Sequence, residues 1–370
     1  MLCLLRGVGC VAISGAVAVV TVALLAAGCS SSAEDSGYGG EFGDDGGAEV
    51  STAQDSGNFD GSVAPPPHLV VVHASPELWP FRVCLEDSTT STGSTNPRSI
   101  APWPDDPSHP APMSNYPAVA LGGGALWSDV AAASKTFVIP YVLDAQQLAN
   151  SSGDMAKTCD QLVCTMSSCL EKGSGWIALD ALDTSTVPTT RAVLLAITGC
   201  PKGTGSAAEC GSDYDTSTGN LHAHWTALAD EGAGDVQIAQ LSTNFGAATV
   251  TSIFADDTSL AYNLPYLSVA PAASLMFISG SDASIYATDT LTATGDAGSI
   301  TLSLADITQL TDPSLLPSNL FAASSNLVLG IVGDPSPSVA QIDAGGDASY
   351  DGHGLHLIAI PMDPSPDGGM

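Results

Sequence analysis

From Leu69 onward the apolar residues fall in runs of strand length, each closed by a cluster of Gly, Pro, Ser, Asp or Asn, which is the pattern of an all-β chain. The first runs are Leu69–Val72 and Phe81–Leu85, joined by His73-Ala74-Ser75-Pro76-Glu77-Leu78-Trp79-Pro80. Val236–Ser242 and Ala248–Phe254 repeat that layout further along, and the echo continues in order. Tyr116–Trp127 lines up with Tyr266–Phe277, Arg191–Gly199 with Asn326–Asp334, and Gly219–His222 with His353–His356. Ordered correspondences of this kind point to an internal duplication with halves at 68–230 and 235–363, followed by a short tail, 364–370. The fold expected is two tandem β-sandwich-like (immunoglobulin-like) domains.

The opening residues carry a different pattern. Arg6 precedes an uninterrupted weakly polar to apolar run, Val8–Ala27, which ends Leu24-Leu25-Ala26-Ala27-Gly28-Cys29. This reads as a secretory signal, 1–28, closing in a lipobox, with Cys29 as the lipidated residue. The competing reading is a retained transmembrane helix of about 20 residues, which the small residues and the terminal cysteine argue against. Acyl chains on Cys29 would make the membrane a partner through a lipid anchor. Ser30 stands where an aspartate favours inner-membrane retention, so the expected address is the outer membrane, facing the periplasm or the cell surface. Residues 30–67 hold eight acids and no lysine or arginine, and they close on Pro65-Pro66-Pro67. No hydrophobic period runs through them, so they read as a solvated tether with a reach of roughly 30–40 Å.

Cysteine usage fits export. With the two in the leader and Cys29 set aside, Cys84, Cys159, Cys164, Cys169, Cys200 and Cys210 remain, five of them in a stretch of about 150–215 read as an insertion in the first half. An even number in an exported chain implies disulfides, although sequence admits many pairings. Cys200–Cys210 closing a small loop, and one of the others reaching Cys84, is the expected pattern. Zinc on Cys159, Cys164 and Cys169 is the alternative, opposed by the spacing and by an oxidising compartment. Met155, Leu162 and Met166 recur at loosely helical intervals, so a short helix is expected within Asp154–Leu170.

The segment Val70-Val71-Val72-His73-Ala74-Ser75-Pro76, followed by the strand Phe81–Leu85, resembles the opening of a family of bacterial secreted and cell-surface β-sandwich domains of unknown function. Val119–Trp127 and Leu327–Asp334 are similar to later features of that family. The second half has Gln240-Leu241-Ser242-Thr243 where the motif would stand, so its likeness rests on layout. The resemblance implies a β-sandwich fold and a turn-shaping role for the motif, with proline stopping the first strand.

Composition narrows the partners. Thirty-nine acids against eight bases give a net charge of −31, with only 13% of residues charged and a mean hydropathy of +0.23. Such a surface repels phosphate backbones and excludes nucleic acid as a partner. G-x-S-x-G, H-E-x-x-H and nucleotide-binding glycine loops are all absent, and Gly122-Gly123-Gly124 reads as a turn between strands. Two weak metal candidates stand out: His222 and His224 on one face of a strand, and Asp343, Asp347 and Asp351 in a glycine-rich loop that is as readily a solvated hairpin. No cofactor is implied and no catalytic residue is named. The function expected is non-catalytic recognition or scaffolding of an envelope or extracellular ligand. The alternatives are a glycan- or peptide-hydrolysing enzyme using acidic loop residues, and a divalent-cation-dependent adhesive module.

Overall fold

The computed structural model describes residues 68–105, 116–128, 130–151, 153–167, 169–187, 192–229, 234–252, 258–274, 283–311, 316–322, 325–335 and 354–362. Their strands form four sheets. The first inner sheet has the order β3 (Gly124–Trp127), β1 (His68–Ala74), β7 (Ala192–Thr198), β8 (His222–Ala227). β1 runs parallel to β7, with Leu69 opposite Val193, and antiparallel to β3; β7 and β8 are antiparallel. The first outer sheet joins β2 (Phe81–Ser88), β4 (Phe137–Asp144) and β5 (Trp176–Ala178), with β6 (Leu182–Asp183) also on β4.

The second inner sheet repeats this arrangement of neighbours. β9 (Asp235–Gln240) runs parallel to β16 (Leu327–Val332), β16 is antiparallel to β17 (His356–Pro361), and β12 (Ser268–Val269) and β13 (Ala273–Ser274) lie antiparallel on the other side of β9. The second outer sheet has the order β11 (Thr258–Leu264), β10 (Ala248–Ser252), β14 (Thr290–Gly295), β15 (Gly298–Ser303). The fold class is therefore all-β and sandwich-like, with few and short helices.

Side-chain alternation shows how the sheets stack. On β1, Leu69 and Val71 pack with Phe81, Val83 and Leu85 of β2, whereas Val70, Val72 and Ala74 point the other way. On that other side they share a core with Ala239, Val328, Val332, Ile358 and Ile360 of the second inner sheet. The far face of that sheet, with Ile238, Leu327, Leu329 and Leu357, closes on Val250, Leu291 and Ala293 of the second outer sheet. Four layers result, in the order outer, inner, inner, outer. Both inner sheets are covered on two faces, which is why Leu69–Val72, Ala192–Ile197 and Leu327–Val332 are apolar without alternation. Residues of 68–230 and of 235–363 feed one of the cores, and Gly61–Met370 form one compact unit.

The contact between the inner sheets is close at Gly124. A Cβ there would overlap Ile360 Cδ1 and lie 3.0 Å from the carbonyl oxygen of Val71. Glycine is thus needed for the approach of β3 to β17, since its φ lies outside the left-handed region.

A further cover lies on the first outer sheet. Cys84, Ile139, Tyr141 and Leu143 on its outward face pack against Leu148 of α1 (Ala145–Asn150) and Cys159 and Leu162 of α2 (Cys159–Leu162). Asp144 caps α1, its Oδ1 accepting from the amides of Gln146 and Gln147 at 2.9 and 3.0 Å. The helix expected within Asp154–Leu170 is shorter than its apolar spacing suggests. A 3-10 turn, Asp154–Ala156, follows left-handed Gly153, Lys157 and Thr158 are extended, and α2 ends at extended Val163. Of the three apolar positions, Leu162 is buried, whereas Met155 and Met166 are 39% and 70% exposed. The Cys84–Cys159 disulfide fixes the start of α2 against β2, and the helix ends one turn later where Val163 turns extended.

The remaining pairs are Cys164–Cys169 and Cys200–Cys210. Within 150–215 the chain also forms β5, β6 and β7, so these cysteines sit in two places. Four lie at the outer face of the first outer sheet or beside it, and two, with α3 (Ala207–Cys210), follow the end of β7. In the second half, α4 (Ala283–Thr288), α5 (Leu304–Thr311) and α6 (Pro317–Leu320) contribute Tyr286, Ile307 and Leu320 to the core of that half. Among the described residues no helix is long and apolar enough to cross a membrane.

Candidate functional site

The motif that carries the family resemblance lies at the end of β1. His73 is fully buried, and its Nε2 sits 3.1 Å from the carbonyl oxygen of Leu78 and 3.2 Å from that of Trp79. Its ring packs on Phe81 at 4.8 Å between centroids, and its backbone exchanges hydrogen bonds with Gly122 and Gly123. The imidazole therefore braces the bend between β1 and β2, while the His73 backbone joins that strand end to the neighbouring glycine turn. Gln240, at the matching place on β9, is equally buried; its Nε2 donates to the carbonyl of Gly246 at 2.6 Å and its Oε1 accepts from the amide of Ser242 at 2.8 Å. Two different side chains thus tie an inner-sheet strand to the turn that follows it. His356, on β17, places Nδ1 2.6 Å from the carbonyl of Gly354 and Nε2 2.8 Å from that of Gly122. This links the second half to the glycine turn of the first.

A small cleft lies at these strand ends, lined by Ala74, Pro76, Leu121, Glu209, Asn244 and Asp334 among others. Asn244 Nδ2 donates to Asp334 Oδ2 at 3.2 Å and to the carbonyl of Ala208 at 2.5 Å. The amide bridges turn and strand end, and the carboxylate it engages is fixed.

The second locus is the free edge of the first inner sheet. His222 and His224 on β8 lie two residues apart and so share a face. Their ring centroids are 6.1 Å apart, with the planes at 61°. His222 Nδ1 donates to Asp180 Oδ2 at 2.8 Å, and the same oxygen accepts from the amide of Ala223 at 3.2 Å. Trp225 Nε1 donates to the carbonyl of Asp180 at 3.0 Å. Asp180 follows Leu179 on the way from β5 to β6, and it blunts an edge strand that would otherwise present bare backbone. Burial and then the neighbouring His222 hold the His224 pKa below its ordinary value, against an upward pull from Asp180 and Asp213. Sequence spacing identifies the imidazole pair. Asp180, 42 positions before His222, carries no local signal.

Two buried charges serve the first outer sheet. Glu86 Oε1 accepts from the amide and hydroxyl of Ser94 at 2.6 and 2.8 Å, and Oε2 accepts from the amide of Asn96 at 3.1 Å and the Tyr141 hydroxyl at 2.5 Å. Burial alone would raise its pKa. The bonds from Tyr141, Ser94 and Asn96 together outweigh that and hold it below the ordinary carboxylate range. Arg82 donates to the carbonyl of Pro102 and reaches Met155 Sδ at 3.7 Å; burial lowers its pKa to about 10, with Asp105 opposing.

All six cysteines of the described chain are in disulfides, which removes Cys159, Cys164 and Cys169 as thiolate ligands for zinc. Cys29 and the aspartates Asp343, Asp347 and Asp351 lie outside the described residues. Among the described residues no group of three or more His, Cys, Asp or Glu is assembled to hold a metal ion.

No protein-family model matches the chain, and no curated protein matches it. Among solved structures it is similar to one from Bacteroides thetaiotaomicron described as a "putative adhesin", at 8% identity over 74% of this chain and 93% of that one. The TM-score is 0.17, too low for that likeness to carry an argument about fold or function.

Proposed function

We propose that this is an exported bacterial lipoprotein whose sheet-built body is a non-catalytic recognition or scaffolding element of the cell envelope, held by acyl chains on Cys29 and an acidic tether. The body is read as a duplicated unit of the family that the Val70–Pro76 segment resembles. The disulfide pairing supports this most directly. Three bonds, one of them closing a separation of 75 residues, are what a chain maturing in an oxidising compartment is expected to carry. The matching neighbours of β1 and β9, and of β7 and β16, support duplication. Polar side chains at the described strand ends are engaged in holding turns, which favours display of a rigid surface over chemistry at those turns.

The anchor is tested by Cys29→Ser, which should abolish palmitate labelling and release the protein from the membrane fraction; unchanged retention refutes the lipoprotein reading. Recognition is tested by capture from envelope extract, followed by panels of envelope glycans and peptides scored for retention and for turnover. Retention without turnover is the expected result, and turnover that persists through purification would favour the hydrolase instead.

A further inference from the structure

We propose that His222 and His224 chelate one borderline-soft divalent transition ion, copper(II), nickel(II) or zinc(II), with Asp180 as the outer carboxylate. Imidazole nitrogens suit these ions and are poor ligands for calcium and magnesium, so the donor set selects the class of metal. The separation of the two rings matches the span of one shared ion. A metal–nitrogen bond of about 2.0–2.1 Å puts an ion about 3.2 Å from each ring centroid, so two imidazoles on one ion have centroids roughly 5 Å apart at the tetrahedral angle and about 6.4 Å apart when opposed. The observed 6.1 Å lies inside that interval, and a side-chain rotation of about 1 Å reaches the tetrahedral end.

Asp180 supplies the second, independent observation. It accepts the Nδ1 proton of His222 at 2.8 Å, which in the neutral ring leaves Nε2 as the lone-pair donor and restrains the ring. This is the carboxylate–histidine arrangement that stands behind metal-ligating histidines. Asp180 is itself held by the amide of Ala223, and its carbonyl by Trp225 Nε1, so the outer group is anchored in both chain and sheet. The pair sits on an edge strand, with His222 and Asp180 both about half exposed, so an ion has access. Two protein nitrogens leave the other positions to water, which makes this a binding site of modest affinity with open coordination. The net charge of −31 raises the local concentration of any divalent cation, so a test must separate the site from the diffuse field.

The experiment is calorimetric titration of the untagged protein with copper(II) or zinc(II) in a buffer containing millimolar calcium, which saturates the diffuse acidic surface without competing for imidazole. Electron paramagnetic resonance of the copper form accompanies it. One ion per chain is expected, with nitrogen hyperfine coupling from two imidazoles. His222→Ala with His224→Ala should abolish that binding, and Asp180→Asn should weaken it about 10- to 100-fold. Circular dichroism of the variants confirms that the sheets persist. Three outcomes overturn the proposal: no saturable binding by the parent protein, one-site binding that survives in the double variant, or a copper spectrum with oxygen ligands only.

Discussion

Gly124 is a point of close approach between the two inner sheets, and it gives a direct test of the four-layer stack. In Gly124→Ala the new methyl overlaps Ile360 Cδ1 and sits 3.0 Å from the Val71 carbonyl, so Ile360 must leave its position or β3 must shift. Overpacking of this kind costs about 1–3 kcal/mol, offset by about 0.4–1 kcal/mol because alanine restricts the unfolded chain, for a net loss of about 1–2 kcal/mol. Ile360→Val removes the offending Cδ1 and alone costs about 0.5–1.5 kcal/mol. In the double variant the methyl introduced by Gly124→Ala enters the space that Cδ1 leaves. Its loss should therefore fall short of the sum of the single losses by about 1 kcal/mol. Urea denaturation followed by tryptophan fluorescence measures all four proteins, and an unchanged slope confirms that the midpoint shift is a stability change. Strict additivity of the two substitutions would show that β3 and β17 do not meet, and the stacking of the inner sheets would fall with it.

Other predictions concern single groups. Glu86→Gln replaces an acceptor-only carboxylate with an amide whose NH2 must face the Ser94 or Asn96 donors, and it should cost about 2–3 kcal/mol at neutral pH. Because the folded-state pKa of Glu86 lies below its unfolded value, its contribution is present above the unfolded pKa and is lost as pH falls through the folded one. Urea midpoints from pH 7 to pH 3 should accordingly fall less steeply for Glu86→Gln than for the parent; parallel curves refute the assignment. Removing Cys84–Cys159 by serine substitution releases a loop of 75 residues, worth about 4.5 kcal/mol by chain entropy, whereas releasing the 10-residue Cys200–Cys210 loop is worth about 2.7 kcal/mol. Thermal melts of the two variants should rank in that order, and the reverse ranking contradicts the entropic account.

Much of the strand content is legible in the chain. Ala248-Thr249-Val250-Thr251-Ser252 and Thr290-Leu291-Thr292-Ala293 alternate because one face of the second outer sheet meets the core while the threonines do not. Leu69–Val72 and Leu327–Val332 do not alternate, which signals burial on both faces, but a run of valines and leucines carries no mark of which sheet will cover it. The polar residues inside strands are harder to read. Arg82 and Glu86 alternate with Val83 and Leu85 as though facing water, yet both are buried, because α1, α2 and the segment after β2 close over them. The pairing of Cys200 with Cys210, and the reach from Cys84 into the 150–215 stretch, follow from spacing and export chemistry. The partner of His222 does not, because Asp180 arrives from another sheet.

The shared core has a consequence for how the polypeptide is made. An exported chain emerges from the membrane N-terminus first, so β1, β3, β7 and β8 are available to pair before β9, β16 and β17 have followed. During that interval the Val70, Val72, Leu194 and Ala196 side of the nascent sheet faces solvent as a continuous oily plane. A chain cut short near residue 230 would keep that plane uncovered, so such a truncation should self-associate where the full chain does not.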